Sequence, residues 1–150
     1  MKKILLSLLL FCTSLLVIAQ TDETAIKNVL NDETKAFYDR DAKKMVSYWH
    51  KTMQTTMYII LSPDNIITKN ASSLNADSLQ KNMLSGEPLK MDFGRTNWIF
   101  CINERSAYIT FDQIPNDPQE KQYTHETRFM EKINGEWKIV SSNVVYINKK

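Results

Sequence analysis

The sequence predicts a single α+β domain in which grouped N-terminal helices pack on a strongly curved, mostly antiparallel sheet. Three observations predict it. Two amphipathic helical stretches stand together near the N-terminus. From Met53 onward the runs turn β-branched and aromatic. Two long strand-like runs meet at Asn134-Gly135, a strong hairpin signal because both turn positions favour positive φ. The chain has 150 residues, 43% hydrophobic and 24% charged, with 3 Gly and 4 Pro. That composition excludes a disordered chain, a collagen and a disulfide mini-protein, and the length suits one domain. No repeat with a period of about 20 to 50 residues is present.

Residues 1–19, MKKILLSLLLFCTSLLVIA, read as a secretory signal peptide. Lys2 and Lys3 precede an apolar run from Ile4 to Ile18. Val17 and Ala19 occupy the small-residue positions of a cleavage site before Gln20. A retained anchor is the alternative, but the run of 15 residues is shorter than the roughly 20 that span a bilayer. A lipoprotein reading fails because Cys12 follows bulky Phe11 inside the apolar run. The expected domain is 20–150, in a secreted or periplasmic protein. Without Lys2 and Lys3 it carries 17 basic and 17 acidic residues, so its formal charge is zero. Such a domain has no electrostatic case for nucleic acid or for anionic membrane once the signal is cleaved. It keeps one cysteine, Cys101, which excludes an internal disulfide. The apolar stretch Trp98 to Ile102 suggests a core thiol there rather than a nucleophile.

The elements follow in order. Thr21 or Asp22 can cap a helix that runs to Tyr38, with Ala25, Ile26, Val29, Leu30 and Phe37 at helical spacing. Asp39-Arg40-Asp41 breaks it. Asp41 caps a second helix whose Ala42, Met45, Val46 and Trp49 share a face. Thr55 to Leu61 reads as a strand. Ser62-Pro63-Asp64-Asn65 suits a type I turn, and Ile66 to Lys69 the return strand. Leu74 to Ser85 reads as a third helix through Leu79, Met83 and Leu84. Gly86 suits its C-terminal cap and Pro88 follows. Leu89 to Ile102 is one long strand with a kink at Gly94. Asn103 to Ser106 turns into Ala107 to Ile114. A polar loop opens at Pro115-Asn116-Asp117-Pro118. Gln122 to Ile133 then pairs with Glu136 to Ile147.

Three passages carry a family resemblance. Ala25-Ile26 through Ala36-Phe37 to Arg40-Asp41 looks like a long first helix followed by an Asp-capped second. Met45-Val46-Ser47-Tyr48-Trp49 is an apolar helix ending in an aromatic. Arg128-Phe129 through Asn134-Gly135-Glu136-Trp137-Lys138-Ile139-Val140 has the form of a final hairpin with Gly, one residue, Trp, a basic residue and Ile. In this order and spacing, over nearly the whole mature chain, they resemble the nuclear transport factor 2-like superfamily, the cystatin-like cone of polyketide-cyclase-like and ketosteroid-isomerase-like proteins. The resemblance implies a pocket between the first helices and the concave sheet, and homodimers paired through the sheets. It implies no activity, because the scaffold hosts isomerases, dehydratases, hydrolases and plain binding modules.

The site residues of that superfamily carry over poorly. The base position of isomerase-type members falls near Met57, between Thr56 and Tyr58, and none of these is a carboxylate. The helix-one Tyr position falls near Glu33, which either faces inward as a tuned acid or base or keeps its carboxylate in water. Where many members place a His in the last strand, this chain has Ser141, Ser142 and Asn143. An Arg near Arg128 can hold a carboxylate in such a pocket, since the guanidinium fork matches one; a surface ion pair with Glu126 is the alternative. His125 and Thr127 share one strand face, and Glu126 and Arg128 the other. His125 with Glu33 would resemble the acid–base pair of dehydratase-type members; otherwise His125 is partly exposed beside a salt bridge. His50 ends the second helix, where a cation suits the dipole. The two His lie too far apart, and from Cys, for metal spacing, and nothing calls for a cofactor. Asn70-Ala71-Ser72 matches the glycosylation sequon, a pattern that arises readily by chance.

The leading functional expectation is a non-catalytic pocket for a small apolar or carboxylate-bearing ligand. Phe37, Trp49, Tyr58 and Trp98 would supply walls, and His125 and Arg128 the polar contacts. One alternative is a small lyase or isomerase that uses Glu33 and His125, which requires the two to converge in one cavity. The other is a structural dimer or interaction module with a filled cone.

Overall fold

The computed structural model describes residues 22–62, 65–70, 73–82, 84–119 and 122–148. The signal segment, the Thr21 cap, Met83, the centre of the Ser62–Asn65 turn and most of the sequon lie outside them.

Residues 22–38 form the described part of α1. Ile26, Leu30, Glu33 and Thr34 recur at three- and four-residue steps and are buried on one face. Arg40 ends the helix in the left-handed region at φ 63°, and Asp41 N–H donates to the Ala36 carbonyl. Asp41 caps α2, Ala42–Ser47, by accepting from Lys44 N–H at 2.9 Å. Trp49 lies just past α2 rather than on it. It bridges to Ile139 and is buried, so the helix end is tied to the sheet.

The strands are β1 Thr56–Ser62, β2 Asn65–Asn70, β3 Phe93–Ile102, β4 Ser106–Pro115, β5 Gln122–Ile133 and β6 Glu136–Asn148. They form one six-stranded sheet in the order β2-β1-β6-β5-β4-β3. Among the pairs of these described strands only β1 with β6 is parallel, because the chain passes from β2 through α3, Ala76–Asn82, before the four-strand meander begins. The hairpin between β5 and β6 turns at Asn134 (φ 52°) and Gly135 (φ 85°), as two central residues with positive φ require.

Four expectations are corrected. The third helix is shorter, because Asn75 caps it by accepting from Ser78 N–H at 3.0 Å. The long strand begins at Phe93, since Leu89 N–H is taken by the Tyr38 carbonyl. Its irregularity lies not at Gly94 but between Thr96 and Ile99, where Asn97 has φ 53°. That extra residue sets the alternation beyond it. Trp98, Phe100 and Ile102 pack on the core, while Ile99 and Cys101 face out. Cys101 is therefore exposed, not a core thiol.

The core lies between the helices and one face of the sheet. Ile26, Leu30 and Trp49 meet Ile109, Phe111, Met130 and Ile139 there. Burying such side chains stabilises by about 1.5–3 kcal/mol each.

Candidate functional site

At one end of this layer the packing leaves a cavity of about 180 Å³. α1 contributes Glu33, Thr34, Phe37 and Tyr38. α3 and its flanks contribute Leu74, Leu79 and Leu84. The sheet contributes a floor that can be read from register. Lys69 pairs with Met57, Met57 with Ser142, and Ser142 with Arg128. These four form one transverse row on one face, and all four line the cavity. The adjacent row supplies Ile59, Val144 and Glu126.

The polar part of the site is a buried ion pair with a separate carboxyl. Arg128 and Glu126 stand two residues apart on β5, so they share a face. Both are buried, and a guanidinium nitrogen of Arg128 donates to Glu126 Oε2. Thr124 Oγ1 donates to Glu126 Oε1 at 3.0 Å. The Arg128 guanidinium also lies over the Phe111 ring, 5.6 Å from its centroid. Its Nε–H is buried and has no hydrogen-bond partner among the described residues.

Glu33 enters from α1. Trp49 Nε1 donates to its Oε1 at 3.0 Å, and Thr34 Oγ1 lies 3.4 Å from its Oε2. Burial pushes the Glu33 carboxyl above the usual range. The Arg128 charge and the Trp49 hydrogen bond pull the other way and are outweighed. Arg95 flanks the site, donating to Thr34 Oγ1 at 2.6 Å and to Gln113 Oε1 at 3.1 Å. Burial also raises the phenols of Tyr38 and Tyr146, and the nearby Glu126 charge adds to this. Tyr38, Gln113 and Tyr146 also line a second cavity of about 250 Å³, together with Lys90 and Tyr123 among others.

Phe37, Glu33 and Arg128 thus come together in the cavity, and Trp49 sits behind Glu33. Three expected site residues do not join them. Tyr58 alternates with Met57 and Ile59, so it points to the other face. Trp98 is spent on packing, stacked on Phe111 at 4.4 Å with the Lys27 ammonium 5.5 Å above its ring. His125 lies on the outer sheet face, its Nδ1 2.7 Å from Asp112 Oδ1. The acid–base pair of Glu33 with His125 is therefore geometrically excluded. Arg128 is no surface ion pair either; its partner Glu126 is buried with it. His50 lies 3.2 Å from Glu131, away from the cavity.

Sequence reasoning missed Lys69, Tyr38 and Tyr146. Glu126 was expected on the same face as Arg128 and as its surface ion-pair partner, not as a buried residue of the site. No group of three or more His, Cys, Asp or Glu could hold a metal among the described residues. No helix among them is long and apolar enough to cross a membrane.

Neither a protein-family model nor a curated protein matches the chain. Solved structures do. One is a nuclear transport factor 2-like protein of unknown function from Shewanella baltica, with TM-score 0.61 at 15% identity over 86% of this chain and 96% of that one. A cystatin-like fold protein from Burkholderia xenovorans gives TM-score 0.61 at 12% identity, over 85% and 92%. A proposed dehydratase of the nuclear transport factor 2-like family from Streptomyces avermitilis gives TM-score 0.61 at 14% identity, over 86% and 98%. At such identities the likeness is one of fold. This chain has the nuclear transport factor 2-like, or cystatin-like, fold.

Proposed function

We propose that the protein binds a small, largely apolar molecule that carries a hydrogen-bond acceptor, within the cavity between α1 and the sheet. One observation carries this reading: the buried Arg128 on the cavity floor has an Nε–H with no partner among the described residues. A buried donor left unpaired costs about 1–3 kcal/mol, which a ligand's carbonyl or carboxylate oxygen would recover. The walls, Phe37, Met57, Leu79 and Leu84, suit an apolar body. An apolar cavity of ~150 Å³ holds benzene, so the part buried here is about six to ten non-hydrogen atoms. The test is a thermal-shift and calorimetric screen of small ketones, amides and carboxylic acids. At least one should raise the melting temperature in proportion to its affinity, and Arg128→Met should abolish that rise. No shift across the panel would overturn the reading.

A second reading has its own support. Burial shifts the Glu33 carboxyl toward its neutral form, in the same cavity as the ion-paired Glu126. A neutral acid can give its proton to a leaving hydroxyl while a carboxylate takes one from carbon, which is lyase chemistry. It predicts that a β-hydroxy ketone loses water to give an enone with wild-type protein and not with Glu33→Gln. Export, and pairing of two copies through the outer sheet face, remain our proposals from the leader sequence and the superfamily resemblance.

A further inference from the structure

We propose that Lys69 is a second anchor of this cavity, and that the ligand is an amphipathic carboxylate lying along the Lys69–Met57–Ser142–Arg128 row. The inference rests on the reading of the cavity as a ligand site.

β2 is one of the two edge strands, and five of its six residues are exposed. The exception is Lys69, the residue whose side chain water should hold most strongly. Its register partner Met57 fixes its direction: both lie on the cavity face. Lys69 has no ion pair or hydrogen bond among the described residues. The other ionisable carboxylates and cations of the lining are accounted for. Glu126 and Arg128 neutralise each other, and Glu33 takes the Trp49 hydrogen bond. Burial favours the neutral form of Glu33, so it offers Lys69 little counter-charge. One positive charge at the edge of the cavity is left for the ligand to match.

The row also gives the ligand a length and an order. Lys69 and Arg128 stand three strand spacings apart, ~14 Å between backbones. Two long side chains reaching inward shorten that gap to the span of a short-chain acid. Between them the row offers Met57, which is apolar, and the Ser142 hydroxyl. A carboxylate at Lys69, a short aliphatic body over Met57 and an acceptor at Arg128 Nε would use those three groups once each. An ammonium suits an exposed carboxylate head, which keeps part of its hydration there.

The probes are 5-oxohexanoate and its neutral isostere 5-oxohexanamide, measured by calorimetry on the purified protein. Both present the ketone to Arg128, and only the acid presents a charge to Lys69. The acid should bind at least tenfold more tightly. Lys69→Met should remove that preference and leave the amide unchanged, and Lys69→Arg should keep it. Arg128→Met should weaken both probes. If the two probes bind equally, or Lys69→Met weakens them alike, the inference fails and the cavity reading stands. If neither binds wild-type protein the inference fails, and the cavity reading falls with it only if the wider panel also gives no shift.

Discussion

The indole of Trp49 donates to Glu33 Oε1 across 3.0 Å, joining the end of α2 to the middle of α1. Both residues are buried, so this bond holds a carboxyl where water cannot. A donor aimed at a carboxyl favours its charged form, and this one restrains the upward push of burial on Glu33. Trp49→Phe keeps the packing and removes the donor. The Glu33 pKa should then rise further, read by carbon NMR of its carboxyl. Folding should weaken by about 1–3 kcal/mol, the usual cost of leaving a buried polar group unmet. An unmoved titration would mean that the bond does not set the ionisation of Glu33.

Glu33→Gln tests the same group through stability. The folded pKa of Glu33 lies above its ordinary value of 4.5, so the folded state holds the proton more tightly than the unfolded chain. That stabilisation is fully present below about pH 4.5 and is lost as pH rises through the folded pKa. Gln keeps an oxygen for Trp49 and cannot ionise. The melting temperature of the variant relative to wild type should therefore increase from acid toward neutral pH. A difference that does not vary with pH would show that Glu33 is not shifted upward.

Glu126 and Arg128 should behave as a unit. Removing either partner leaves a buried charge uncompensated and should cost about 3–5 kcal/mol. The pair Glu126→Gln with Arg128→Met leaves no such charge, so its cost should fall well short of the sum of the two singles. Denaturant melts of the four proteins read the coupling. Additive losses would mean that each side chain acts through packing, Arg128 and Arg95 both lying against Phe111.

The fold was legible because its signals are local. The Asp41 cap, the Asn134-Gly135 turn and the 3.6-residue stripe of α1 each sit within a few residues of sequence. Strand alternation also placed Glu126 with Arg128 on one face and His125 on the other. It did not say which face is inside, because that depends on what packs above the sheet. Lys69 was invisible for a different reason. Its inward direction follows from pairing with Met57, and its nearness to Arg128 from a parallel contact between β1 and β6, made across most of the chain. Cys101 was misread for a local reason. A left-handed Asn97 inserts one residue and swaps the faces that simple alternation would give.

Cys101 gives the quickest check of that swap. As an exposed thiol it should react with a disulfide reagent in the native protein as fast as a small-molecule thiol, with no denaturant. Protection that disappears on dilution would instead mean that a second copy covers the outer face, where Ile99, Tyr108 and Phe129 are also exposed. Protection independent of concentration would place Cys101 in the core and move the irregularity away from Asn97.

His125 supplies the control for the site. It pairs with Asp112 on the outer face, where Asn97 Nδ2 also donates to that carboxylate at 2.7 Å. Burial alone would raise the Asp112 carboxyl, but the hydrogen bonds from Asn97 and His125 and the His125 charge hold it below its ordinary value of 3.8. A carboxyl depressed in the folded state contributes stability that is present above about pH 3.8 and is lost as pH falls through the folded pKa. His125→Ala should remove part of that contribution and raise the Asp112 pKa toward the ordinary value. Because the imidazole is substantially exposed, the loss at neutral pH should be no more than about 1 kcal/mol. The affinity for 5-oxohexanoate should not change, since the sheet lies between His125 and the cavity. If His125→Ala abolished binding as Arg128→Met should, the ligand would lie on the outer face, and the cavity would not be its site.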